Sequence, residues 1–476
     1  MKFIPVIGLE IHAELSTKTK IFCSCENKFG EAPNTLVCPV CSGMPGTLPV
    51  LNKSAVELAI KAGLVLDCKI NKKSSFDRKN YFYPDLPKAY QITQFYHPIC
   101  ESGFVFKNNK KINIERIHLE EDAGKLIHNK NTSIIDYNRC GVPLIEIVTA
   151  PDFNSANEVC DFINEICLRF KYADICDGKL EQGSLRVDVN ISVMKENSTT
   201  LGTRAEIKNL NSLKSIIKAI EYETKRQTEL LEKEISFDVE TRRFDENTGT
   251  TVSMRKKESI GDYRYMPEPD IPELIINNSE IEALKNELPT MPSIRLEKYI
   301  NEYNLSEQDA KLIVENKYIS DFYDEALKSY PSFKTLANII LNEINRNLNV
   351  LGLSFCDLSI KPSLTAEVAM LYDNKKISKN ALNEIIKIML VSEKSPTEIA
   401  KEHNLLLSDN SDDIKKVTEE TINENEKAVS EYLSGNSKVF SYLFGQIMRK
   451  LEKNSNPQTV KEILTSELDK LVKLDK

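Results

Sequence analysis

From Val6 to Leu15 apolar and polar positions alternate, with Ile7, Leu9, Ile11, Ala13 and Leu15 on one side and Gly8, Glu10, His12 and Glu14 on the other. That is the two-residue period of a strand. A helical period takes over at Ser54, where Ser54 and Glu57 read as a capping box and Val56, Ala59, Ile60, Gly63 and Leu64 as one apolar stripe. The stretch Phe76 to Gln94, FDRKNYFYPDLPKAYQITQ, follows neither period. Pro84 and Pro87 push Tyr83 and Leu86 out of helical conformation, which predicts a rigid extended loop between two strands.

Further on, Gly103 to Lys130 reads as a β-meander turning at Asn108-Asn109, and Val142 to Val148 as a strand buried on both faces. Ser155 to Tyr172 reads as a helix with its own capping box, Ser155 with Glu158. Two strands with polar faces, Ser184 to Val193 and Thr203 to Lys208, precede a helix from about Leu213 to Glu232. Proline-rich Met266 to Pro272 reads as an exit from this domain, and after Pro289 no strand pattern of any length remains. The acidic stretch from about Ser408 to Glu426 reads as a linker or a solvated helix. In the tail from Lys427, Val439, Leu443, Ile447 and Leu451 share a helical face, while Lys438, Arg449, Lys450 and Lys453 supply local positive charge. The expected fold class is α+β: a β-rich domain over residues 1–290, an all-helical domain over 291–407 and a small helical module over 408–476.

Composition narrows the function classes. A length of 476 residues calls for two or three domains. A net charge of −8 argues against general coating of nucleic acid, so any RNA contact is local. The absence of a long apolar run and of a leader pattern predicts a soluble, unexported chain with no membrane contact. Eleven scattered cysteines do not suggest a disulfide framework and fit a reducing compartment. Neither a GxxxxGK[ST] phosphate loop nor a dinucleotide fingerprint is present, and the five histidines suggest no triad.

Four groups of residues carry candidate chemistry. Cys23, Cys25, Cys38 and Cys41 form two short-range thiol pairs, the second in the knuckle CPVCSGMPG. Four thiolates at tetrahedral reach suit a closed, structural zinc site; free thiols or a redox pair are the other readings. Glu10 and His12 share one strand face, which reads either as a solvated face or as a row of ligands for a hard cation. In HLEEDAGK, adjacent Glu120 and Glu121 must face opposite ways, and Glu146 interrupts a buried apolar strand, a costly position unless it is paired or bound to metal. Lys79, Tyr81, Tyr83 and Lys88 offer cations and rings suited to a phosphorylated or nucleotide ligand, or else cover a core edge.

Phe76–Gln94, together with VIGLEIHAEL, HLEEDAGK, GVPLIEIV, EQGSLRVDVNIS, RAEIKNLNS, DYRYMPEPD and GNSKVFSYLFGQIMRK, resembles the GatB/GatE family of the tRNA-dependent amidotransferases, in the same order along nearly the whole chain. The resemblance implies a cradle-like catalytic domain and a YqeY-like tail that grips the tRNA elbow. It implies an ATP-dependent ligase that phosphorylates the side-chain carboxylate of misacylated Glu-tRNA(Gln), Asp-tRNA(Asn) or both. Ammonia then arrives from a glutaminase partner of the amidase family, in a cytoplasmic heterotrimer completed by a small third subunit. By the same resemblance Mg2+ falls to Glu10, His12, Glu120 and Glu146, and Glu121 faces the ammonia route. Lys79 and Lys88 hold phosphate or line that route with Tyr81 and Tyr83 beside them, and Arg186 and Arg204 are weaker candidates for nucleotide or acceptor-end contacts. The zinc braces the fold. A non-catalytic, tRNA-binding zinc protein serving a partner enzyme is the alternative, and a stand-alone ligase using free ammonia is a further rival.

Overall fold

The computed structural model describes residues 2–128, 132–256, 263–392, 394–407, 411–434, 436, 438–451 and 455–474. Lys130, Asp262, Ser408, Gly435, Ser437 and Lys453, which fall in the stretches named above, lie outside them. The chain divides into two compact units, residues 1–292 and 293–476.

In chain order the strands of the first unit are β1 (Phe3–Glu14), β2 (Lys69–Ile70), β3 (Lys73–Ser74), β4 (Asp77–Asn80), β5 (Tyr90–Thr93), β6 (Cys100–Lys107), β7 (Lys110–Glu121), β8 (Lys125–His128), β9 (Ser133–Asp136), β10 (Pro143–Thr149), β11 (Leu185–Lys195), β12 (Ala205–Lys208), β13 (Glu240–Asp245), β14 (Thr250–Lys256), β15 (Met266–Pro267) and β16 (Leu274–Ile275). Its helices are α1 (Lys53–Val65), α2 (Ala156–Tyr172), α3 (Leu213–Glu232) and α4 (Asn278–Glu287). Nine strands form one sheet in the order β14-β13-β12-β11-β1-β10-β7-β6-β2. All of its pairings are antiparallel except β12 with β13, and α3 supplies the long crossover that a parallel pair requires. The apolar set Ile7, Leu9 and Ile11 joins Val159, Phe162 and Ile163 of α2 and Ile216 and Ile220 of α3 in one core. Alternation therefore leaves the other set of β1, with Glu10 and His12, on the opposite face of the sheet.

Local signals place most of these elements. α3 spans the expected residues, and the Ser155 hydroxyl caps α2 by accepting from the Glu158 N–H. Asn108 and Asn109 take φ of +50° and +62°, the left-handed pair of a tight hairpin turn. α1 starts earlier than Ser54 because Asn52 is its cap: the side chain accepts from the Ser54 N–H and donates to the Thr19 carbonyl, anchoring the helix from both sides. The span Phe76–Gln94 is less loop than expected, since β4 and β5 pair as a hairpin and confine the two prolines to its tip. Met266–Pro272 is not an exit: β15 pairs back onto β4 and β16 onto β3, so the first unit continues to residue 292.

The second unit is helical. Within it, the helices Ser411–Glu424, Glu426–Leu433, Lys438–Lys450 and Pro457–Leu474 share a core that includes Ile414, Val439, Leu443, Ile447 and Leu464. Within the acidic stretch, Ser411–Glu424 is thus a packed helix. Its buried stripe includes Thr418 and Thr421, whose hydroxyls donate to the Ile414 and Val417 carbonyls, so they bury without reading as apolar. No described helix is long and apolar enough to cross a membrane.

All eleven cysteines are free thiols. Burial pushes Cys68, Cys140 and Cys176 up to about 12, whereas Cys356 is exposed. A thiol reagent at neutral pH is expected to modify Cys356 first and those three only after unfolding, as read by peptide mass spectrometry.

Candidate functional site

The polar face of the central strands builds a continuous row across the sheet. In register, Arg186 of β11, His12 of β1, Glu146 of β10 and His118 of β7 lie side by side, and further along β1, Glu10 is level with Asp188. His12 Nε2 is 3.3 Å from both Glu120 Oε1 and Glu146 Oε2, and His118 Nε2 is also 3.3 Å from Glu146 Oε2. Burial opposes charge on His12, but the hydrogen bond and field of Glu146, with Glu120 and Asp188 behind it, outweigh burial and raise its pKa to about 9. Burial likewise pushes Glu146 up, yet His118 and His12 hold it well below the usual carboxylate range.

Beside this cluster, Glu10, Asp188 and Glu206 bring carboxylate oxygens within 4.8 Å of one another. Asn190 donates to Glu10 at 2.9 Å, and the Lys208 ammonium lies 2.6 Å from Asp188 and 2.8 Å from Glu206. Glu10, Glu206 and Lys208, with His12, His118, Glu120 and Glu146, floor a cavity of about 290 Å³. Lys79 of the β4–β5 hairpin lines it with Phe95, Arg116, Tyr263 and Tyr265. Phe95 stacks on Tyr265 at 4.0 Å, and the Lys79 ammonium sits 4.8 Å from the Tyr263 ring centre. The donor set of imidazole and carboxylate fits a hard divalent cation, and the ring wall with Lys79 beside it suits a flat, phosphorylated ligand.

The structure brings Glu10, His12, Glu120, Glu146 and Lys79 to this one cavity. Tyr81 packs edge-on against Tyr263 just behind it, while Tyr83 is half exposed. Glu121 turns away from Glu120 and pairs with Lys88 in a second cavity of about 210 Å³, walled by Phe22, Cys23, Cys41 and Met44. Lys79 and Lys88 therefore serve different spaces. Arg186 is engaged by buried Asp122 at 2.7 Å, and Arg204 is exposed ahead of β12; neither lines the main cavity. His118, Asp188, Glu206, Lys208 and Tyr265 are not among the candidates drawn from the sequence, although the parity of each strand carries a signal: His118 is two residues from Glu120, and Asp188 lies on the polar face of β11.

The four knuckle cysteines bring their sulfurs within 4.8 Å of one another, with Cys38 and Cys41 3.9 Å apart. Four sulfurs about 2.3 Å from a tetrahedral zinc would be separated by about 3.8 Å, so the set fits that ion. The Cys41 sulfur accepts hydrogen bonds from Cys23 and from the Cys38 N–H, and the first of these, against its burial, helps bring its pKa down to about 4.

Fold and site define a class: an α+β domain with a cation-capable carboxylate cavity and a four-thiol knuckle, followed by helices. Residues 5–282 match the family described as the GatB/GatE catalytic domain, and residues 321–468 match the GatB domain. Among curated relatives, the B subunit of the aspartyl/glutamyl-tRNA(Asn/Gln) amidotransferase of Ruminiclostridium cellulolyticum is 48% identical, covering 100% of this chain and 99% of the relative. The proteins of the same name in Caldicellulosiruptor bescii and Clostridium tetani are 46% and 43% identical, each over 99% of this chain and 100% of the relative. The chain belongs to the GatB/GatE family.

Proposed function

We propose that this chain is the subunit of a tRNA-dependent amidotransferase that activates the side-chain carboxylate of misacylated Glu-tRNA(Gln), Asp-tRNA(Asn) or both with ATP, and then amidates it. The observation that carries the reading is the convergence of His12, Glu120 and Glu146 beside Glu10 in a cavity faced by Lys79. A carboxylate resists ammonia because its oxygen is a poor leaving group; transfer of the γ-phosphoryl group to that oxygen makes phosphate the group that leaves. When bound, magnesium would supply positive charge that stabilises the negative charge developing during phosphoryl transfer. His12, Glu120, Glu146 and Glu10 hold that ion, and Lys79 meets a phosphate. The ring wall of Phe95, Tyr263 and Tyr265, backed by Tyr81, excludes water.

On the other side of β7, Glu121 and Lys88 line the route by which ammonia reaches the activated acyl group from a glutaminase partner of the amidase family, with a small third subunit completing the assembly in the cytoplasm. The four cysteines hold structural zinc. Residues 291–407 and 408–476 act as separate helical domains, the last gripping the tRNA elbow. Exposed Arg204 is left for the acceptor end, while Arg186 braces Asp122.

The test is ATP hydrolysis and amidation by the chain co-expressed with matching glutaminase and small subunits. Hydrolysis is expected only with misacylated tRNA, and ammonium is expected to replace glutamine as donor. Amide formation on a free amino acid by the chain alone would point to a stand-alone ligase. Retained activity in both Glu10→Gln and Glu146→Gln would point to a non-catalytic RNA-binding role.

A further inference from the structure

Lys20 takes no part in the proposed reaction, yet its side chain is fully buried. The ammonium donates to the Leu36 carbonyl at 2.7 Å and the Tyr137 carbonyl at 3.3 Å, and its third acceptor is the Cys41 sulfur at 3.6 Å. Its backbone N–H donates to the Cys25 carbonyl, and the N–H of the next residue, Ile21, donates to the Gly141 carbonyl. One residue thus touches both halves of the knuckle and the turn Tyr137–Arg139 that leads into β10.

Burying a lysine this completely surrenders hydration and rotamer freedom, and two carbonyls return hydrogen bonds but no charge. Among the described residues its acceptors are those carbonyls and the one sulfur. Four thiolates around a divalent ion leave a net charge of about −2 inside the same enclosure. We propose that Lys20 is the counter-cation of the four-cysteine metal site, so that metal retention and the seating of the Tyr137–Arg139 turn are one event. This rests on the zinc reading of Cys23, Cys25, Cys38 and Cys41. The ammonium, 3.6 Å from the Cys41 sulfur, offsets the negative charge gathered there and slows the escape of that ligand from the metal. Conversely, stripping the metal frees the two cysteine loops that hold Cys41 beside the ammonium, so that this contact is lost together with the ion. Metal and lysine must therefore stabilise the protein jointly, beyond what each contributes alone.

The experiment compares wild type with Lys20→Met, each purified with its partner subunits. Zinc content, zinc release into a chromogenic chelator and thermal unfolding before and after metal removal are measured. Release from Lys20→Met is expected to be faster by about tenfold or more, the usual scale for a group that supports metal ligands. The loss of thermal stability on stripping the metal is expected to be smaller in Lys20→Met than in wild type. Unchanged release, or an equal metal-dependent shift in both proteins, overturns the proposal, because a lysine that only packs would lower both unfolding temperatures alike. If Lys20→Met is insoluble, Lys20→Gln, which keeps donors for the carbonyls and drops the charge, takes its place with the same expectations. Wild type purified without zinc would instead fell the zinc reading itself.

Discussion

Glu146→Gln is expected to lower tRNA-dependent ATP hydrolysis and amidation by about 10²–10³, the cost of removing one preorganised charge from a site of developing charge. The substitution keeps the shape of the side chain and removes its charge. Glu146 Oε2 is 3.3 Å from both His12 Nε2 and His118 Nε2, so its carboxylate orients both imidazoles while offering an oxygen to a cation. Glutamine can orient them less well and binds a divalent ion weakly. The measurement is steady-state turnover over a magnesium titration, with glutaminase activity and tRNA binding as controls. The expected result is loss of turnover with a shift to higher half-saturating magnesium and both controls intact. Full turnover at ordinary magnesium would remove the cavity from the reaction.

Lys88→Met is expected to destabilise the first unit by about 3–5 kcal/mol, the usual cost of stripping one partner from a buried ion pair. Glu121 also accepts the Ile92 N–H at 3.0 Å, so its position is fixed and it cannot follow the lost ammonium into solvent. The double variant Lys88→Met/Glu121→Gln removes the stranded charge and keeps an acceptor for Ile92, so most of the loss is expected to return. The check is the denaturation midpoint of the single and double variants. If both lose the same amount, the penalty comes from packing around Lys88 and the charge argument fails.

What the sequence made legible follows from the range over which each signal acts. The alternation of β1, the full length of α3 and the opposed directions of Glu120 and Glu121 are set within a few residues. The four cysteines were legible because two short loops hold them. By contrast, joining Asp188 and Glu206 to Glu10 needs the order β12-β11-β1, which no local pattern specifies. Arg186 looked free for a ligand because its partner, Asp122, is 64 residues away in the chain. Lys79 and Lys88 looked equivalent on one loop, yet the hairpin places them against different walls. The helix Ser411–Glu424 hid its packed side behind threonines that satisfy their own hydroxyls.

The end of β7 has a consequence of phase. Glu120 and Glu121 are neighbours in sequence, and a single peptide unit is all that separates the chamber of the imidazoles from that of Lys88. Inserting or deleting one residue upstream in β7 while keeping its pairing would exchange the tenants of both chambers at once, whereas a change of two would restore the sides and displace the level. The two spaces therefore share a party wall one strand thick, and only changes that respect its parity leave both furnished.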